Sequence, residues 1–169
     1  NLGNILKDQD KLGEALMYYN KAAYLQPTSV EAYNNMGNIF ESQGKLDEAI
    51  GAYNKAIEIK PDIAEAFNNM GNVLQEQGKF DEAIEAYEKA LAIKPNLPDY
   101  YNKMGNIFQN QGRMEEAAEA YEKALAIKPD FAEVYRNLSI IKKFSLQDNY
   151  FSTLKTLLNA EKLTDDNRC

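Results

Sequence analysis

The chain has no histidine anywhere in its 169 residues. That removes the usual imidazole general base, the Ser-His and Cys-His nucleophile pairs, and most zinc sites. Cysteine occurs once, as Cys169 at the C-terminal end. One thiol cannot build an internal disulfide framework, and such usage points to a reducing, cytoplasmic compartment. No apolar run is long enough to cross a bilayer and no signal peptide is present, so no membrane role is expected. Positive charge is in short supply: 19 Lys and Arg stand against 26 Asp and Glu, a net charge of −7. Recognition of nucleic acid calls for a basic stripe, so none is expected as a partner. There is no glycine-rich phosphate loop. Gly51, which stands where the next two units carry glutamate, has no physical account. Paired carboxylates do occur, as Asp47-Glu48, Asp81-Glu82 and Glu115-Glu116. They recur at the start of helices, where they favour the positive end of the helix dipole, and an acid/base site would need a pocket around one pair alone. No catalytic, metal-binding or cofactor-binding residue is assigned, and the segment is expected not to be an enzyme.

What the chain does have is a period. Pro27, Pro61, Pro95 and Pro129 lie 34 residues apart, as do Gly3, Gly37, Gly71 and Gly105. Ala15, Tyr19 and Ala22 head three further columns with the same spacing. A fixed period in several columns means one structural unit copied along the chain. Within residues 28–61, Tyr33, Met36, Gly37 and Phe40 share one helix face, and Leu46, Ala49, Ile50, Tyr53, Ala56 and Ile57 share a second. Gly44, Gly78 and Gly112 fall between the two helices, where a reversal wants positive φ. Asp10 holds that place in the first unit. Thr28, Asp62, Asn96 and Asp130 follow the prolines and are expected to cap the next helix. The small residues Gly37 and Ala49 let two helices approach closely, and Tyr53, Tyr87 and Tyr121 are expected to fill the space between units.

These columns resemble the tetratricopeptide repeat. The resemblance is carried by Tyr33, Met36, Gly37, Phe40, Ala49, Tyr53, Ala56 and Pro61, by Phe67, Met70, Gly71, Leu74, Ala83, Tyr87, Ala90 and Pro95, and by Tyr101, Met104, Gly105, Phe108, Ala117, Tyr121, Ala124 and Pro129. It implies an all-α fold, a right-handed solenoid of stacked antiparallel helix pairs. The repeats are expected over 1–144, as a partial first unit, full units 28–61, 62–95 and 96–129, and the first helix of a fifth. The fifth unit departs from the pattern, with Ser139 for glycine, Lys142 for a large apolar residue, Leu146 for the turn glycine and Phe151 for alanine. Tyr150, Phe151, Leu154, Leu157 and Leu158 form an amphipathic stripe. A non-standard closing helix and the start of a further helix, capped at Thr164-Asp165-Asp166, are therefore expected over 145–169. The chain reads as a segment of a longer protein. Residues 135–168 resemble the region after the first repeats in bacterial proteins that join such repeats to a sulfotransferase domain.

Function is expected in the polar stripe each first helix leaves over. In successive units it comprises Glu31, Asn34, Asn35, Asn38 and Glu41, then Glu65, Asn68, Asn69, Asn72 and Gln75, then Asp99, Asn102, Lys103, Asn106 and Gln109, with Arg136 and Asn137 in the fifth. The repeat family implies that first helices line the concave surface, so these residues form a groove. Amides offer donors and acceptors at regular intervals, which suits the backbone of an extended peptide. Asn35, Asn69 and Asn137 resemble the asparagine ladder of glycosyltransferases that carry such repeats, and Lys103 interrupts it. For Asn38, Asn72 and Asn106, packing and ligand contact are both open. For Asn34, Asn68 and Asn102 the sequence offers no packing reason. Chaperone-binding members of the family clamp a carboxylate with basic residues. Here those columns hold Glu65 or Asp99, Asn34 or Asn68, and Asn69 or Lys103, so such a clamp is not expected.

The expected function is a protein-interaction scaffold that binds an extended peptide or partner protein. Glu31, Glu41, Glu65, Glu76 and Asp99 outweigh Lys103, so a neutral to basic partner is expected, with Arg136 and Lys143 tolerating an acidic group at one end. The alternatives are a substrate-recognition arm of a larger sulfotransferase or glycosyltransferase, and self-association by end-to-end stacking of uncapped repeats.

Overall fold

A computed structural model describes residues 2–9 and 11–143. Asp10 and the closing region expected over 145–169 lie outside the described residues. All described elements are helices: α1 (Leu2–Asp8), α2 (Leu12–Leu25), α3 (Val30–Ser42), α4 (Leu46–Ile59), α5 (Ala64–Glu76), α6 (Phe80–Ile93), α7 (Pro98–Asn110) and α8 (Met114–Ile127), then α9 (132–143). Short connections fold them into pairs, α1/α2 through α7/α8, and the pairs stack in chain order as an all-α solenoid.

The pairing follows from the apolar spacing. In α4, Ala49, Ala52, Tyr53 and Ala56 are the buried residues and share one face. Tyr53, Tyr87 and Tyr121 are each 0% exposed. Each tyrosine ring lies on the glycine of the facing helix in its own unit. A Cβ built on Gly71 would stand 2.7 Å from Tyr87 Cε1, and Gly37 and Gly105 are covered in the same way by Tyr53 and Tyr121. The expected filling of inter-unit space is therefore only part of the role. The ring closes its own pair first, and Tyr53 then clusters with Val73 of the next unit.

Between the helices of a pair, Gly44, Gly78 and Gly112 take φ of 69°, 74° and 76°. The residue after each glycine donates back to the last turn, Lys45 N–H to the Phe40 carbonyl at 2.9 Å in the second unit. That bond closes a left-handed helix cap that a side chain would strain. The expected N-caps fall one residue early. Proline and its successor form the turn itself at 27–28, 61–62 and 129–130, so the cap positions are Ser29, Ile63 and Leu97. Of these three, Ser29 alone caps with its side chain, accepting from Ala32 N–H at 3.4 Å. In the fifth unit Lys142, standing where an apolar residue is expected, is exposed and pairs with Glu122 at 3.2 Å.

The carboxylates at the starts of the second helices join units together. Asp47 accepts from Gln77 Nε2 at 2.8 Å and Asp81 from Gln111 Nε2 at 3.4 Å. Both contacts tie the turn of one unit to the first helical turn of the unit before. Glu116 instead pairs locally with Arg113.

Candidate partner-binding groove

The first helices α3, α5, α7 and α9 carry the polar columns, and the structure connects these columns across units. Asn69 Nδ2 donates to Asn38 Oδ1 at 3.0 Å, and Asn137 Nδ2 donates to Asn106 Oδ1 at 3.1 Å. Between them Lys103 Nζ donates to Asn72 Oδ1 at 2.6 Å. Lys103 does not break the ladder: a lysine stands in the asparagine's place and reaches the same acceptor. Each acceptor is held from behind by a buried tyrosine. The hydroxyls of Tyr53, Tyr87 and Tyr121 lie 2.8, 2.9 and 2.6 Å from Asn38, Asn72 and Asn106 Oδ1. Tyr19 and Asn4 form the same pair in the first unit.

This chain of bonds gives Asn38, Asn72 and Asn106 a packing role. Each carbonyl oxygen is met by a tyrosine hydroxyl on one side and a donor from the next unit on the other, and the hydroxyl's single proton is shared with Glu41, Gln75 or Gln109 of the same unit. Asn34 and Asn102 also have structural bonds that the sequence did not suggest. Asn34 Nδ2 donates to Glu65 at 3.2 Å and Asn102 Nδ2 to Glu133 at 3.3 Å, each in the next unit. Asn68 differs, donating to Asn69 Oδ1 at 3.0 Å and accepting from Lys103 Nζ at 3.0 Å. Glu133 and the tyrosine hydroxyls belong to the network but not to the expected site. The signal for Glu133 is its column, 34 residues beyond Asp99.

Glu31, Glu65, Asp99, Glu133 and Arg136 are exposed along the same helices, and Asn35 is half-buried among them. Lys103 is partly sheltered, its ammonium 5.5 Å from the Tyr87 ring centre and 5.8 Å from that of Tyr100. Loss of water lowers its pKa, and Asp99 and Glu41 pull the other way. Burial also raises the tyrosine pKa values. Tyr53 is raised furthest, with the Glu41 carboxylate at 2.8 Å adding to the desolvation. Tyr121 is pushed up to about 12 by desolvation, against the Asn137 hydrogen bond. Among the described residues no group of three or more Cys, Asp or Glu is placed to hold a metal ion. No described helix is long and apolar enough to cross a membrane.

The comparisons agree with this architecture. A family model described as "TPR repeat" matches residues 3–44, 37–78 and 71–112, and one described as "Tetratricopeptide repeat" matches 98–131. The chain belongs to the tetratricopeptide repeat family, and its repeats make it a protein-interaction scaffold. No curated protein sequence matches it. Among solved structures it is similar to MamA, at 25% identity over 98% of both chains with a TM-score of 0.80. It is also similar to a MamA segment, residue 41 to the end, from Desulfovibrio magneticus RS-1, at 19% identity over 100% of this chain and 94% of that one, TM-score 0.77. YrrB, described as a TPR protein with an unusual peptide-binding site, aligns at 23% identity over 86% of this chain and 75% of its own, TM-score 0.73.

Proposed function

We propose that the chain binds an extended peptide or partner segment, neutral to basic in character, along the face made by α3, α5 and α7. It acts there as a cytoplasmic binding module and not as an enzyme. The observation that carries this reading is the amide column, repeated once per unit and edged by Glu31, Glu65, Asp99 and Glu133. Asn69 and Asn137 each donate one amide hydrogen to the unit before and keep a second for a ligand carbonyl. The exposed carboxylates bias encounter toward positive charge, an effect screened as salt shortens the Debye length. The fold is compatible with this use, since YrrB, of the same fold, has a peptide-binding site. A peptide-array screen tests the proposal. Neutral and basic peptides are expected to bind best, less so at high salt, and a clear preference for acidic C-terminal peptides overturns it.

A further inference from the structure

The junction between α6 and α7 is built differently from its counterparts. Position 100 belongs to the column of Ala32, Ala66 and Val134, all buried. In that column Ala32 packs with Tyr19 of the preceding unit. Here the residue is Tyr100, whose ring centre lies 6.3 Å from that of Tyr87, the equivalent tyrosine on α6. An aromatic side chain where the other units bury only Ala or Val pushes the two helices apart. The backbones bear this out, since α6 and α7 approach each other less closely than α2 and α3 or α4 and α5. The polar ladder changes at the same junction. Asn34 and Asn102 each reach the acidic residue of the following unit, but Asn68 turns to Asn69 and makes no such bond to Asp99. The residue that bridges the gap is Lys103, bonded to both Asn68 and Asn72. A lysine carries its nitrogen two bonds further from the backbone than an asparagine does.

We propose that Tyr100 and Lys103 are a coupled pair that sets the spacing of the solenoid at its third junction. Tyr100 wedges α7 away from α6, and Lys103 straps α7 back to α5 across a gap that asparagine cannot span. Both ring faces hold the ammonium against the strap's acceptors. The pair makes the polar face wider here than at the two junctions before it and gives it a fixed width instead of a loose one. The inference concerns the frame of the solenoid and does not depend on which partner binds there.

The test is hydrogen exchange across α7 in the whole chain for Lys103→Asn, Tyr100→Ala and the double variant. Lys103→Asn alone is expected to speed exchange over 98–110 by about tenfold, the scale of one lost charge-assisted hydrogen bond, with α3 and α4 unchanged. In the double variant the wedge is gone, asparagine reaches Asn72 as Asn69 reaches Asn38, and protection is expected to recover toward the parent value. If Lys103→Asn fails to fold, recovery of folded protein in the double variant supports the coupling. A double variant that exchanges as fast as Lys103→Asn, or that also fails to fold, overturns the proposal.

Discussion

Gly71 and Gly51 are both mid-helix glycines, and the structure assigns them opposite responses to alanine. A Cβ at Gly71 meets Tyr87 Cε1 at 2.7 Å, whereas nothing lies within 4 Å of one at Gly51. Gly71→Ala is expected to lower stability by about 1–3 kcal/mol, because overpacking a closed contact outweighs the gain in helix propensity. Gly51→Ala is expected to raise it by roughly 0.5–1 kcal/mol, since the helix gains propensity and loses no contact. Chemical denaturation of the two variants measures both signs. The buried tyrosines make a second residue-scale prediction. Tyr121 has its folded pKa raised from 10.0 to about 12, and Tyr53 and Tyr87 are raised as well. A group raised on folding contributes stability that is whole below its unfolded value and lost as pH climbs through the folded one. Stability is therefore expected to be level up to pH 10 and to fall above it, through about 12 for Tyr121 and beyond that for Tyr53 and Tyr87. Tyr121→Phe, with no proton to lose, should make that alkaline decline shallower, as melting midpoints across the range will show.

At the scale of the helix and the unit, stability is a sum of unit and interface contributions. Tyr87 serves both, closing its own pair over Gly71 and belonging to the large apolar cluster that runs from Leu74 to Ile141. Tyr87→Ala is expected to cost about 3–5 kcal/mol, the range for large aromatic truncations, in chemical denaturation. A loss below about 1 kcal/mol would mean an exposed ring and a wrong helix register. The 34-residue columns make the helices and their turns legible in the sequence, because the columns of Gly37 and Tyr53 are one contact written twice. Gly44 is legible for a similar reason, since few residues accept positive φ. The N-caps are not, because the proline and its successor are spent on the turn and displace the helix start by one residue. The bonds of the polar stripe are hidden as well. Asn34 meets Glu65, and Asn102 meets Glu133, across a spacing of 31 residues that the 34-residue period does not reveal. Lys103 reads as a break in the ladder until its length is set against the extra bulk of Tyr100.

Across the whole molecule, the stacked pairs turn a local polar stripe into a continuous surface with a regular step. Its acidic edge is exposed, and its amides are held in register by tyrosine hydroxyls from behind and by neighbouring units from either side. A surface fixed in this way before binding loses little side-chain freedom when a ligand arrives. The central claim is that this face, and not the outer surface of α4, α6 and α8, receives the partner. Amide chemical-shift mapping with the best neutral or basic peptide from the array tests it most directly. The account predicts perturbations concentrated at Asn34, Asn35 and Asn38 on α3, Asn68, Asn69 and Asn72 on α5, and Asn102, Lys103 and Asn106 on α7. Perturbations confined to the second helices, or absent at saturating peptide, would contradict it.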